Sequence, residues 1–489
     1  MLRRSLALVS LLLTVAACGS ASGPDTSAPS TGVPTATSIS WSKCPADDTL
    51  DCADFKVPYD YTGRTKGEFT LKLVRHSAAD RAQRIGSMLV NPGGPGFGGT
   101  FIAENADSYL SQDLLDRFDV IGWDPRGTGK STPFVDCISD YDRYFALDPT
   151  PETDAERTAM IGSTRDFTDA CEKENHDILP WISTNNTARD MDRIRAALGE
   201  DRITYFGFSY GSELGATWAT MFPSTVRAAV LDGAADPDSD FMQGALDQAA
   251  GFEHELTTFL AQCTKRPTCA FHNGGDAEGA FDRLMTALDD APLKVSSDRA
   301  GVNLAVAMTA VSQAMYSSTM WTDLETALDD AQKGNGQGLL DLYDQYYQRN
   351  ADGTYGNELE AFNAILCVDD PGPKTVEDME SYTPQFRKVA PRMWPSFASG
   401  YGCVFWKAKP DLRIPITGKG AGPIVVVGTT GDAATPLAGS RNMAATLEDG
   451  HLVVVTGNHH TGYGANQCVL EAVDNYLITA GVGFAEKKC

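Results

Sequence analysis

A serine, a histidine and an aspartate stand in this chain at positions where together they could transfer an acyl group. Gly207-Phe-Ser209-Tyr-Gly211 matches G-x-S-x-G, the pattern of a tight turn that lifts a serine hydroxyl clear of the backbone. With 46 glycines in 489 residues the string arises easily by chance, so its setting carries the reading. It follows the apolar run 203–206 and precedes Ser212-Glu-Leu-Gly-Ala-Thr-Trp-Ala, the strand–turn–helix order that such a nucleophile needs. A serine hydroxyl attacks poorly until a base removes its proton. Of the seven histidines, His459 and His460 fall in a loop just after the last apolar run, followed by Thr461-Gly462; His460 is favoured over His459. The acid that orients the imidazole is expected at Asp432, in Gly428-Thr-Thr-Gly-Asp432-Ala-Ala-Thr-Pro436, directly after the apolar run 424–427. Asp232, at the end of an earlier apolar run, is the rival. Acyl transfer also needs donors for a developing oxyanion. Gly94, in Asn91-Pro-Gly-Gly94-Pro-Gly-Phe97-Gly-Gly99, and Tyr210 are expected to offer their N–H groups.

Short runs rich in Val and Ile alternate with helical patterns along the chain, which is the α/β signature of a mostly parallel sheet. Residues 69–75 alternate like an early antiparallel strand. Buried strands follow at 87–91, 118–123, 203–207, 226–232, 423–428 and 451–456, with a helix expected over 188–198. Between residues 237 and 415 no comparable run appears, and patterns such as 281–288 and 324–331 read as helices. The chain therefore divides into a first core part at 41–236, a helical cap or lid insertion at 237–415 and a C-terminal core part at 416–489. Ligands of such sheets bind at the carboxyl ends of the strands, where the cap would roof the site.

The formal net charge of −25 excludes nucleic acid as a partner, because phosphates need a basic surface. Asp124-Pro-Arg-Gly-Thr-Gly-Lys-Ser131 invites a phosphate-loop reading, but the first glycine of that motif would fall on Asp124, so a structural turn is expected. No HExxH, paired CxxC or dinucleotide fingerprint occurs, and no metal or cofactor is expected. Met1-Leu-Arg3-Arg4 and the short apolar stretch 5–17 read as a signal peptide over 1–17, too short to span a bilayer. Residues 15–18 resemble a bacterial lipobox, in which Cys18 would carry lipid, and residues 18–40 form a low-complexity tether. Removing Cys18 from the 11 cysteines leaves an even set of ten, suited to an oxidising compartment. Neighbours in sequence suggest Cys44 with Cys52, Cys137 with Cys171, Cys263 with Cys269, Cys367 with Cys403, and Cys468 with Cys489, although sequence does not decide pairing.

Taken in order, these motifs resemble the prolyl-iminopeptidase branch of the α/β-hydrolases, nearest the secreted tripeptidyl aminopeptidases of actinobacteria and their mycobacterial lipoprotein relatives. The likeness rests on the loop 91–96, the turn 124–131, the string 207–211, Leu231-Asp-Gly233, Gly431-Asp-Ala-Ala-Thr-Pro436, Asn458-His-His-Thr461 and Cys468, and spans roughly residues 40–489. The order serine, acid, histidine agrees with that fold. The resemblance implies a Ser209–Asp432–His460 triad, an oxyanion hole at Gly94 and Tyr210, and an exopeptidase that removes short peptides from free N-termini, with a carboxylesterase as the alternative. A non-catalytic surface-binding lipoprotein is the reading from another class. An aminopeptidase also needs a carboxylate for the substrate's α-ammonium; Glu104 and Asp232 are the first candidates, and Asp236, Glu253 and Glu255 follow. Phe97 stands where relatives often carry a small residue and is expected to narrow the pocket beside the hole. The resemblance implies a peptide or ester substrate, and a monomer is expected. With the lipid anchor, the protein would sit on the extracellular face of the cell membrane, or be secreted.

Overall fold

The computed structural model describes residues 38–295, 299 and 301–489. The expected signal peptide, Cys18 and the tether up to residue 37 lie outside the described residues. Ten strands form one sheet in the order β1-β2-β3-β5-β4-β6-β7-β8-β9-β10. They are β1 (Ser42–Lys43), β2 (Asp51–Pro58), β3 (Glu68–His76), β4 (Gly86–Asn91), β5 (Phe118–Trp123), β6 (Ile203–Phe208), β7 (Val226–Asp232), β8 (Ile424–Thr429), β9 (Gly450–Val455) and β10 (Glu486–Lys488). From β5 through β10 every pairing is parallel, whereas β1, β2 and β3 join antiparallel at one edge.

Burial explains the difference. Strands β4, β5 and β8 are buried along their whole length, as a parallel sheet covered on both faces requires. Strand β2 instead alternates Ala53, Phe55 and Val57 inward with Asp54 and Lys56 outward, the pattern of a half-covered edge. Its charged positions hide it from a search for apolar runs. So do those of β10, a Glu-Lys-Lys triplet paired with β9.

The helices that position the site are α1 (Asp154–Asn175), α2 (Thr184–Leu198), α3 (Tyr210–Met221), α4 (Phe241–Lys265), α5 (Leu304–Met315), α6 (Glu358–Asp369), α7 (Leu437–Thr446) and α8 (Gln467–Thr479). Between β7 and β8 the described residues add no strand to the sheet. Helices α4 and α5 bury Leu256, Phe259, Ala310 and Val311 in a cap cluster of their own. Packing does not follow the linear boundaries. Helix α6 lies in the cap segment, yet Ala361, Ala364, Ile365 and Val368 join the cluster around Leu214 and Leu231 under the sheet. Conversely, Met160 of α1 joins the cap cluster. Apolar faces go where apolar partners are, because burial and not chain order supplies the stabilisation.

Five disulfides link Cys44 to Cys52, Cys137 to Cys171, Cys263 to Cys269, Cys367 to Cys403 and Cys468 to Cys489. The last ties β10 to α8. The turn 124–131 is structural: Asp124 accepts from the Thr100 amide and hydroxyl and from the Lys130 amide. Within it Arg126 is fully buried against Asp190, at 2.6 and 2.7 Å, with its remaining protons on the carbonyls of Pro58, Tyr59 and Trp181. Both charges have left water, so removing one strands the other. Asp190→Ala is expected to lower the unfolding free energy by about 3–5 kcal/mol, read as a lower denaturant midpoint with an unchanged slope.

Candidate active site

Ser209 stands between β6 and α3 with φ 55° and ψ −127°, a left-handed conformation that costs a non-glycine residue of order 1–3 kcal/mol. The neighbouring backbone holds it there: the Ser209 amide donates to the Asp232 carbonyl at 2.7 Å. The turn is tight enough that a Cβ on Gly211 would lie 2.8 Å from the Asn91 carbonyl oxygen, which is why the motif ends in glycine. Tyr210 opens α3, so its amide and the positive end of the helix dipole face the nucleophile side. Among the described residues neither the Tyr210 amide nor the Gly94 amide has a protein acceptor, and both residues line one cavity with Ser209. The Tyr210 ring is anchored from behind, its hydroxyl on Thr184 Oγ1, which donates in turn to Asp369.

His460 lies on the loop after β9. Its Nδ1 meets Asp432 Oδ1 at 2.9 Å and Oδ2 at 3.0 Å, so the proton sits on Nδ1 and leaves the Nε2 lone pair for base work. Nε2 is buried and has no hydrogen-bond partner among the described residues. No hydrogen bond links it to Ser209 Oγ here, a contact that commonly tightens only with substrate bound. Ser209 and His460 approach from two sides of one short stretch: the Ser209 amide is on Asp232, and a Cβ on the adjacent Gly233 would lie 3.2 Å from His460 Cε1. Burial disfavours charge on His460, but the charge and hydrogen bond of Asp432, with Asp232 beyond, more than offset it and raise the imidazole pKa above 6.5.

Asp432 is itself braced. It accepts from the amides of Ala434 and Thr435 at 3.0 and 2.9 Å and from Thr435 Oγ1 at 2.9 Å, an Asx turn whose residue types were readable in Asp432-Ala-Ala-Thr435. The rival acid does different work. Asp232 is fully buried and takes the amides of Gly462 and Tyr463 at 2.7 and 2.8 Å, which clamps the histidine loop without touching the ring. Burial pushes its carboxyl up to about 6, against the two amides and His460. His459 turns away, with Nδ1 on the Thr461 carbonyl. The cap supplies a contact that no local signal announced: Tyr316 accepts the His460 amide at 2.7 Å and sets its ring edge-on to the imidazole.

The cavity at Ser209 measures about 550 Å³. Besides Asp432, six acids line it (Glu213, Asp236, Asp240, Asp247, Asp369 and Asp370) against one guanidinium, Arg413. Arg413 is shared between Glu213 and Asp370, at 3.3 and 3.2 Å. The structure does not bring the first amine-binding candidates here. Glu104 pairs with Lys130 at 3.3 Å and lines a different cavity, and both Asp232 oxygens are spent on backbone amides. Asp236 does line the Ser209 cavity but holds Asn442. Glu253 caps the Arg392 and Met393 amides, and Glu255 faces Asn458. Phe97 packs over Gly94 and lines the Glu104 cavity, not that of Ser209, so it does not narrow the pocket as expected. No group of three or more metal-ligating side chains occurs among the described residues.

Residues 86–273 match the model of the α/β hydrolase fold, and residues 391–489 match that of TAP-like protein. Over 459 residues the chain is 33% identical to serine protease Hip1 of Mycobacterium tuberculosis, covering 90% of this chain and 87% of that one. Over 454 residues it is 34% identical to carboxylesterase B of the same organism, covering 90% and 86%. It is also similar to the tripeptidyl aminopeptidase of Streptomyces coelicolor, at 29% over 474 residues, covering 92% and 86%.

The base must be neutral to accept a proton, so the rate falls as pH drops through the raised His460 value. The acid limb of the pH–rate profile is expected to have its midpoint above 6.5. Asp432→Asn is expected to lower kcat by about 10⁴-fold and to move that midpoint downward, as measured by the pH dependence of kcat.

Proposed function

Because the chain belongs to the α/β-hydrolase family that includes Hip1 and carboxylesterase B, we propose that it is a serine exopeptidase releasing short peptides from free N-termini. His460 Nε2 takes the Ser209 Oγ proton as Oγ attacks the scissile carbonyl. The oxyanion is held by the Gly94 and Tyr210 amides at the head of α3. Asp432 stabilises the imidazolium, which hands its proton to the leaving amine. A water deprotonated by His460 then opens the Ser209 ester and frees the peptide acid, restoring the serine.

The observation that carries the exopeptidase reading is the acid-lined cavity. A surplus of carboxyl groups in a recess focuses a negative potential, which favours a substrate with a free α-ammonium over a neutral one. The cavity, about 550 Å³, is lined by residues of α4 and α6, which suits cleavage near a chain end. A carboxylesterase of the same machinery is the second reading, favoured by the likeness to carboxylesterase B. We further propose a tether through lipid on Cys18 to the outer face of the cell membrane, on the strength of the residues 15–18 and the even remainder of cysteines.

Three reporters separate the readings: a free-amine tripeptide amide, its N-acetylated twin and a short-chain nitrophenyl ester. The free-amine peptide is expected to be cleaved with the acetylated twin at least about 10²-fold slower, and Ser209→Ala is expected to abolish both turnover and fluorophosphonate labelling. Turnover of the ester with neither peptide cleaved would move the reading to esterase. Cys18→Ala in the full chain is expected to shift the protein from the membrane fraction to the medium; retention on the membrane would remove the lipid anchor.

A further inference from the structure

Helix α4 buries Phe252, Leu256 and Phe259 against the cap cluster, and two of its buried positions carry acids, Glu253 on the Arg392 and Met393 amides and Glu255. Glu255 is 1% exposed. A carboxyl group buried without full hydrogen bonding is costly, and an aliphatic side chain would pack there without that cost. Its Oε2 accepts Asn458 Nδ2 at 2.9 Å, and its Oε1 has no hydrogen-bond partner among the described residues. The charged groups that face it are His254, 3.9 Å away and exposed, and Asp432. Burial pushes its carboxyl above the ordinary range, and Asp432 adds to this, while Asn458 and His254 oppose it.

Asn458 stands two residues before the base and is gripped from two sides. Its side chain is on Glu255, and its carbonyl accepts the Ser318 amide at 2.8 Å. The acid loop passes through the same knot. The Gly431 amide donates to the Gly457 carbonyl at 2.8 Å. A Cβ on Gly431 would lie 2.7 Å from Glu255 Oε1, Asn458 Nδ2 and the Gly457 oxygen alike. Residue 431 precedes Asp432, and residues 457 and 458 precede His460. The junction of the two catalytic loops is therefore closed by a side chain from the cap.

We propose that Glu255 is a positioning residue for His460, acting through Asn458 to hold the base loop in register with Asp432. It touches no substrate. Its hydrogen bond fixes the turn at residues 457–459, and this fixes where the imidazole meets Asp432. The proposal rests on the Ser209–His460 hydrolase reading but not on the choice between peptide and ester.

Fluorophosphonate labelling tests it, since that probe reads serine activation without peptide subsites, together with kcat and KM on whichever reporter the wild type cleaves. Glu255→Ala is expected to slow labelling and lower kcat about tenfold or more with KM within about twofold. It should also move the acid-limb midpoint downward, because His460 loses part of the Asp432 field. Glu255→Gln, which still accepts from Asn458, is expected to return both rates to within about threefold. Asn458→Ala removes the same bond from the loop side, leaves α4 intact and keeps the test open if Glu255→Ala misfolds. The double variant is expected to be no slower than either single one. Glu255→Ala labelled at the wild-type rate, Glu255→Gln as slow as Glu255→Ala, or fully additive losses would each overturn the proposal. A wild type that ignores the probe would instead overturn the hydrolase reading beneath it.

Discussion

A general base carried on a loop has no ladder of backbone bonds to place it, and every step of acyl transfer depends on where its ring stands. His460, the proposed base, occupies such a loop. The surrounding chain replaces the missing ladder with bonds of four origins. Asp232, at the end of β7, holds the loop's far side by two amides. Asp432 holds the ring. Tyr316 takes the His460 amide, and Ser318 gives its own to Asn458. The two acids come from adjacent parallel strands, so the register of β7 against β8 sets the distance between the loop's two anchors. The nucleophile hangs from the same place, through its amide on the Asp232 carbonyl. One residue thus fixes the serine by its backbone and the histidine loop by its side chain.

The cap is part of this arrangement and not merely a roof. Ala433 and Ala434 of the acid loop belong to the cap's apolar cluster, and the His460 ring packs on Tyr316. In the other direction, α6 leaves the cap segment to complete the core under α3. Cap and sheet therefore share apolar contacts on both sides of the cavity. Its acid-rich lining is built where α4, α6 and the loop after β7 converge, at the boundary that these shared contacts define.

Much of this was legible in the residues. The parallel strands announced themselves as Val- and Ile-rich runs because both their faces are covered. The serine turn, the Asx turn at Asp432 and the tandem histidines each carry a local chemical pattern. The edge strands β2 and β10 did not, because alternating or charged residues at an edge look like loop. Glu104 and Asp232 stand close in sequence to the motifs, which is what makes them amine-binding candidates. Whether a carboxylate reaches a cavity depends on what else claims its oxygens, and for these two Lys130 and the base-loop amides do. The contacts of Tyr316 and Glu255 join segments more than a hundred residues apart, and no spacing rule reports them. The boundaries at 237 and 415 mark where the sheet is interrupted, whereas α1 and α6 show that packing crosses them.

The order of the proposed catalytic residues along the chain has a temporal side. Ser209 is made more than two hundred residues before Asp432 and His460. Strand β8 can join β7 only after the whole cap segment has been made, and β10 is locked to α8 by the disulfide at the final residue. A growing chain therefore presents Ser209 without His460 for the 251 residues that separate them. Its hydroxyl gains the proposed proton acceptor only when β8, β9 and the loop after them have docked. The long-range pairing that makes such a sheet slow to close also keeps Ser209 apart from the proposed base until it has closed.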